Sequence, residues 1–317
     1  MQSINVLSLA PTVNDWLANT RQPRILHVFD SACNLINERR EVLSIVTQQI
    51  GNGPFNVVVE DDVVFSDNLS LQSPISNSPN HLNLGELVIN TEEAKLWSPR
   101  PDWEMLHAKR DDIHIRLMSL RAPIEAEQSP NESGIASSVF GFHFVSLRSL
   151  SVRSDLLAMT LSQLPILQFS NSLTLSLVTA DLPSSLTAAQ QLAGAGVGLT
   201  PAGDDFIMGA LYAAWIIHPR EVASVLGSEI ASTAAPLTTS LSAAWLRSAG
   251  KGEAGILWHE FFDALSSPAS NLHPPINKIL SVGETSGADA LAGFIAVFTG
   301  LDQLARSGSN LWEWLKW

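Results

Sequence analysis

Residues 194–209 read GAGVGLTPAGDDFIMG. Four glycines and a proline lead into two adjacent aspartates, and the apolar run FIMGALYAAWII (206–217) follows. That run is too short to cross a bilayer and too apolar to face water. A buried helix must therefore begin here, with two carboxylates in its first turn. Any fold open to this chain has to wrap other elements around that helix and still reconcile the charges at its mouth.

The rest of the composition allows it. The chain has 317 residues, 45% of them hydrophobic and only 15% charged, which fits a globular protein with a large core. The formal net charge is −13, with no block of Lys and Arg to offset it. Sequence-independent binding to nucleic acid or to an anionic membrane is not expected. Cys33 is the only cysteine, so an intrachain disulfide and a cysteine zinc site are excluded. In HVFDSACNLIN it reads as a small core residue rather than a nucleophile. The N-terminus has no basic segment followed by an apolar run, so no signal peptide is expected, and the expected location is cytoplasmic.

The pattern predicts an α+β protein, with a β-rich N-terminal domain over 1–100 and an α-rich domain over 101–317. Strands are expected at 24–30, 32–37 and 55–60. FNVVVEDDVVFSD (55–67) reads as a hairpin tipped by Asp61 and Asp62, and 66–84 as a long polar loop. WSPRP (97–101) is a break, and 101–123 reads as one helix with Trp103, Leu106, Ile113, Leu117 and Leu120 on its apolar face. His107, Asp111 and His114 share a face of that helix, but Lys109, Arg110 and Arg116 make it an ordinary charged surface. A polar loop is expected at 124–141. Helices are expected near 152–165, 184–193, 204–217, 220–232, 240–249, 253–265, 273–282 and 287–306.

Within the opening stretch, Gly198 to Gly203 has the spacing of a phosphate-binding P-loop. Asp204 and Asp205 stand where that loop needs Lys and Ser or Thr, so a nucleotide triphosphatase of that type is not expected. A glycine-rich helix start still offers free amides and a positive dipole end to an anion. The stretch has an echo. AGDDFIMGAL (202–211) and SGADALAGFI (286–295) align without a gap, matching Gly203, Asp205 and Gly209 to Gly287, Asp289 and Gly293. In each copy the Asp and the second Gly lie four apart, on one helical face that Ala213 and Val297 extend. If the two helices pack through their glycines with their starts at one end, Asp205 and Asp289 converge. Such a pair can hold Mg²⁺ while backbone amides hold an anion. The plain alternative is a duplicated packing motif in which each Asp caps its helix.

GVGLTPAGDD (196–205), the TTSLSAAWL stretch (238–246) and VGETSGAD (282–289) resemble the family of bacterial proteins that includes the AllH-type subunit of oxamate carbamoyltransferase. HVFDSACNLIN (27–37) resembles that family's N-terminal portion. For the best-understood member the resemblance implies a role in anaerobic purine or allantoin breakdown. There the subunit works with other proteins to move a carbamoyl group between oxalurate or oxamate and carbamoyl phosphate. Two positions depart from the family pattern. Ala202 stands where a serine is common and Glu284 where a histidine is common, which bears on the substrate.

Together these readings predict an enzyme or enzyme subunit acting on a small anionic carbamoyl or amide compound such as carbamoyl phosphate, with other enzyme subunits as partners. Catalytic roles are expected for Asp204, Asp205, Asp289 and Glu284, and Mg²⁺ is expected on Asp205 and Asp289. Ligand contacts are expected from Gly196, Gly198, Thr200, Gly203, Ser286, Gly287, Thr238, Ser242 and Arg247. Two alternatives stand beside this: a metal-dependent hydrolase built on the paired Asp motifs, and a non-catalytic subunit whose glycines serve packing.

Overall fold

Short β-branched runs form strands and the small-residue, leucine-rich second half forms helices, in a computed structural model that describes residues 2–78, 80–119 and 164–306. Two compact units result, residues 1–101 with 253–259 and residues 102–252 with 260–317.

The first unit is built on one sheet. Its strands are β1 (Gln2–Leu9), β2 (Arg24–Val28), β3 (Ala32–Ile36), β4 (Val42–Thr47), β5 (Asn56–Val59), β6 (Ile75–Ser78), β7 (His81–Leu84), β8 (Leu87–Asn90) and β9 (Lys95–Leu96). The order is β2-β3-β4-β5-β1-β8-β7-β6, with β9 beside β1. β1 runs antiparallel to β5 and parallel to β8 and β9, and a bulge between Val6 and Ser8 shifts its register. Helix α1 (Pro11–Asn19) starts on a proline and lays Val13, Trp16 and Leu17 into the core formed by Leu35, Leu43, Ile45, Val57 and Val59. Cys33 lies in that core, and burial pushes its thiol up to about 12, as suits a packing residue.

Three details differ from the sequence reading. Residues 55–67 are no hairpin: β5 pairs with β4 in parallel, and after Asp61 and Asp62 the chain turns into the short helix α2 (Phe65–Asn68). The apolar VVF does not run back along β5: Val63 and Phe65 drop into the core while Val64 faces solvent. Residues 66–84 are not one loop. Ser76 and Ser78 face outward on β6, while Ile75 and Asn77 share the inner face with Leu82 and Leu84 of β7, where the Asn77 amide donates to the Leu17 carbonyl; the pair tolerates polar residues because only one face is covered. The single helix over 101–123 is two, α3 (Trp103–Ala108) and α4 (Arg110–Ser119). Lys109 breaks the run, its N–H reaching back to Met105 and Leu106 carbonyls.

The remaining helices are α5 (Leu164–Val178), α6 (Leu182–Leu192), α7 (Ala202–Ile217), α8 (Arg220–Ala234), α9 (Ser240–Gly250), α10 (Ile256–Ser266), α11 (His273–Leu280) and α12 (Ser286–Arg306). The polar loop expected at 124–141 and most of the helix expected at 152–165 lie outside the described residues. Helix α7 is buried along nearly its whole length, as the apolar run demands. Its Tyr212 and Trp215 stack near Trp103, and the Trp103 and Trp215 indole N–H groups donate to Gly252 and Ala249 carbonyls. The face shared by His107, Asp111 and His114 forms no ligand set, in keeping with the charged surface expected there. His107 meets the Ile216 carbonyl, His114 lies 3.3 Å from Asp302, and Arg116 closes the end of α10 by donating to the Ala264 and Leu265 carbonyls.

Helices α7 and α12 lie against each other backbone to backbone. A Cβ built on Gly209 would sit 1.7 Å from the Ala290 carbonyl oxygen, and one on Gly293 would sit 2.0 Å from that of Phe206. Both helices finish near α5, with Gly300 against Thr174 and the His218 ring nitrogen Nε2 on the Leu177 carbonyl, 2.7 Å away. The two helices therefore run in the same direction.

These contacts set the sign of a simple experiment. Alanine in place of an unpacked helical glycine stabilises by about 1 kcal/mol. Gly209→Ala and Gly293→Ala should instead each destabilise by about 3 kcal/mol in denaturant unfolding, because the obstructing atom is backbone and cannot rotate away. A gain in stability from either change would contradict the packing.

Candidate functional site

The duplication seen in ten residues extends to whole helix–turn–helix units. In the first, the Leu192 carbonyl ending α6 lies where a Cβ on Gly203 would be, at 2.1 Å. In the second, the Ile279 carbonyl near the end of α11 lies 1.8 Å from a Cβ on Gly287. The turns match too. Ala195 N–H bonds Leu192 O and Gly203 N–H bonds Ala195 O, while Val282 N–H bonds Ile279 O and Gly287 N–H bonds Val282 O. Gly203 and Gly287 thus let each helix start tuck under the end of the helix before it.

The two starts meet. The Thr200 and Ser286 hydroxyls are 2.7 Å apart, bridging the first turn to the second, and both also hydrogen bond the Asp205 carboxyl. Thr285 hydrogen bonds Asp289. Asp205 is 4% exposed and Asp289 6%, and the Oδ2 atom of each is shut off from solvent with no hydrogen-bond partner. Burial is the main cause of the rise in both carboxyls. It holds Asp205 well above the usual carboxylate range, with the charge of Asp289 adding to the effect, and it pushes Asp289 up to about 7.

Asp204 has a different environment. It accepts from the Gly194 N–H at 2.9 Å, from the Ser242 hydroxyl at 2.8 Å and from the Thr238 hydroxyl. Thr239, the N-cap of α9, accepts from Ser242 N–H and donates to the Leu199 carbonyl at 2.5 Å. Asp204 and Thr239 therefore pin the glycine loop between α7 and α9. Burial raises the Asp204 carboxyl, and its three donors oppose that rise.

The loop held this way is open at its tip. Gly196 and Gly198 have φ of +121° and +96°, and a Cβ on Gly198 would meet nothing within 4 Å. Among the described residues the N–H groups of Gly196, Val197 and Gly198 have no hydrogen-bond partner. Glu284 is exposed on the second turn. Arg247 lies away from this cluster. It is five residues beyond Ser242 on α9, about 140° around the helix, and exposed. The Asp61–Asp62 turn binds Gln49 N–H through Asp61. No group of three or more His, Cys, Asp or Glu side chains able to hold a metal occurs among the described residues.

Two contributors escaped the sequence reading. Thr285 is one, although a hydroxyl directly before a helix start is a capping signal. The Gly194 N–H is the other, and only the folded loop shows that it points at Asp204.

Residues 192–298, which hold both helix starts, match the family model described as oxamate carbamoyltransferase subunit AllH. Residues 5–96, which hold the sheet, match the one described as the AllH family N-terminal domain. No solved structure matches the chain. No helix among the described residues is long and apolar enough to cross a membrane.

The raised carboxyls make stability depend on pH in a defined direction. An unfolded Asp titrates near roughly 3.9. The folded Asp289 titrates at about 7, so the folded state holds its proton more tightly. The stability this confers is complete below the unfolded value and is lost as pH rises to the folded one. In chelator-treated protein the melting temperature should fall between about pH 4 and pH 7, and Asp289→Asn should flatten part of that slope. A profile equally steep in the variant would contradict the placement of Asp289.

Proposed function

The chain belongs to the AllH family, and from that premise we propose that it is a subunit of a carbamoyl-transferring enzyme, binding a small carbamoyl or oxamate-type anion at the joined starts of α7 and α12. The observation that carries this reading is the Thr200–Ser286 bridge. It joins the end of the open glycine loop to the second helix start, where two buried carboxyls lie, and both halves of it lie inside the matched span.

The chemistry fits the parts. Transfer of a carbamoyl group from carbamoyl phosphate to an amide nitrogen forms a C–N bond, breaks the C–O bond to phosphate and releases one proton from the nitrogen. The phosphate or carboxylate end of either reactant is an acceptor of hydrogen bonds. The free N–H groups at Gly196, Val197 and Gly198 offer donors for it without a basic side chain. In this reading the Thr200 and Ser286 hydroxyls orient the carbamoyl group, and Glu284, exposed two residues before Ser286, is the group assigned to take the proton. Asp204, with Thr238 and Ser242, acts by holding the loop in place rather than by touching the reactants. Partner subunits would supply what this chain lacks for turnover, and an allantoin or purine setting is what the family resemblance implies.

The test is a calorimetric titration with carbamoyl phosphate and with oxamate, on the chain alone and on the assembled transferase. Saturable binding is expected, weakened tenfold or more by Thr200→Val in a variant that melts a few degrees lower but still unfolds cooperatively. Wild-type affinity in that variant, or no binding in either preparation, would overturn the site.

A further inference from the structure

We propose that the rim of the joined helix starts is the docking surface for another subunit of the transferase, one that covers an apolar patch there and brings an arginine or lysine to the bound reactant. The proposal rests on the carbamoyl-transfer reading above and names the kind of partner that completes its site.

Among the described residues of the helical unit, seven large apolar side chains are exposed. Three of them stand singly on α4, α5 and α8. The other four, Val197, Leu199, Leu237 and Val282, lie on the short segments around the Thr200–Ser286 contact. Backbone contacts tie those segments to the site. The Thr239 hydroxyl donates to the Leu199 carbonyl at 2.5 Å, and a Cβ on Gly194 would stand 2.7 Å from the Leu237 carbonyl oxygen, so the glycine loop lies along residues 237–239. In the second turn the Val282 carbonyl accepts from the Gly287 N–H, one residue past Ser286. Val197 is 93% exposed at the tip of the loop, between two glycines of positive φ. Single exposed apolar side chains are ordinary, but several of them at the mouth of a site mark a surface that another molecule covers.

Charge says what that molecule carries. The reactants are anions, and charge developing on a departing phosphate has to be met by donors or by a cation. This chain offers amides and hydroxyls only. No Lys or Arg occurs in 164–219, 221–246 or 279–305, the stretches that build both helix starts and their loops. The cations bordering them are directed elsewhere: Arg220 lies 3.4 Å from Glu104, Lys278 lies 2.6 Å from Glu260, and Arg247 is exposed on α9 away from the cluster. Asp204, Asp205, Asp289 and the exposed Glu284 make the surroundings acidic. Such a rim complements a protein surface with an apolar centre and a basic side chain beside it, and the planar fork of arginine also fits a carboxylate or phosphate. A second copy of this chain would bring the same acidic rim against it and no cation. Stable interfaces bury about 800 Å² on each side, so the four side chains form the centre of the contact rather than its whole extent.

Assembly is read first without any reactant, by sedimentation velocity of the chain mixed with the other subunits of the transferase. Leu237→Asp and Val282→Asp should each weaken assembly about tenfold or more, because each buries a charge in an apolar contact. Both positions are exposed, so each variant alone should melt within about 2 °C of wild type. Val225→Asp, on the exposed face of α8, should assemble like wild type. Carbamoyl phosphate should bind the assembled enzyme about tenfold or more tightly than the chain alone, and added salt should shrink that gain. Wild-type assembly by both patch variants overturns the docking surface, and so does a dimer of the chain alone that Leu237→Asp splits. Equal carbamoyl phosphate affinity with and without the partner overturns the delivered cation. Because assembly is measured free of reactant, its outcome is separate from that of the titration that tests the site itself.

Discussion

The close crossing of α7 and α12 sets the terms for the rest of the helical unit. Two helices can approach until a carbonyl of one occupies the place of a missing Cβ on the other only if glycine stands at both positions, and Gly209 and Gly293 do. That spacing brings two helix starts within hydrogen-bonding reach, and the Thr200–Ser286 contact records it. Carboxyls one turn earlier than those glycines are then forced together and out of water. Their raised proton affinities follow from the packing.

The same device operates at three levels. Gly203 and Gly287 seat each start beneath the preceding helix, and Gly209 and Gly293 seat the two starts against each other. A third pair outside the repeat, Gly227 and Gly250, brings α8 and α9 together less tightly, with built Cβ atoms 2.5 and 2.6 Å from the facing carbonyls, and α9 carries Ser242, which holds Asp204. Packing and chemistry are therefore not competing explanations of these motifs. The glycines build the approach, and the aspartates meet because of it.

Much of this was legible in the sequence. A β-branched first third followed by small-residue helices gave the α+β class, and the gapless echo between 202–211 and 286–295 pointed to paired helix starts. Other parts had no readable signal. Helix α5 is rich in Ser, Thr and Asn, which read as loop formers, yet Thr174 hides its hydroxyl on the Ser170 carbonyl and the helix continues. The strands β6 and β7 are too polar to announce themselves, since they bury one face only. Adjacent Asp204 and Asp205 look alike as letters. Their difference lies in tertiary partners, three donors for the first and an unmet oxygen for the second. No local pattern encodes that.

The central claim is that Asp205 and Asp289 share one buried environment. A double-mutant cycle on unfolding free energy, with Asp205→Asn, Asp289→Asn and the pair in chelator-treated protein at about pH 8, tests it most directly. Converging carboxyls predict that either change relieves much of the same repulsion, so the double variant gains less than the two single gains together, by about 1 kcal/mol or more. Gains that add within about 0.5 kcal/mol would mean the two groups do not sense each other, and the site would have to be given up.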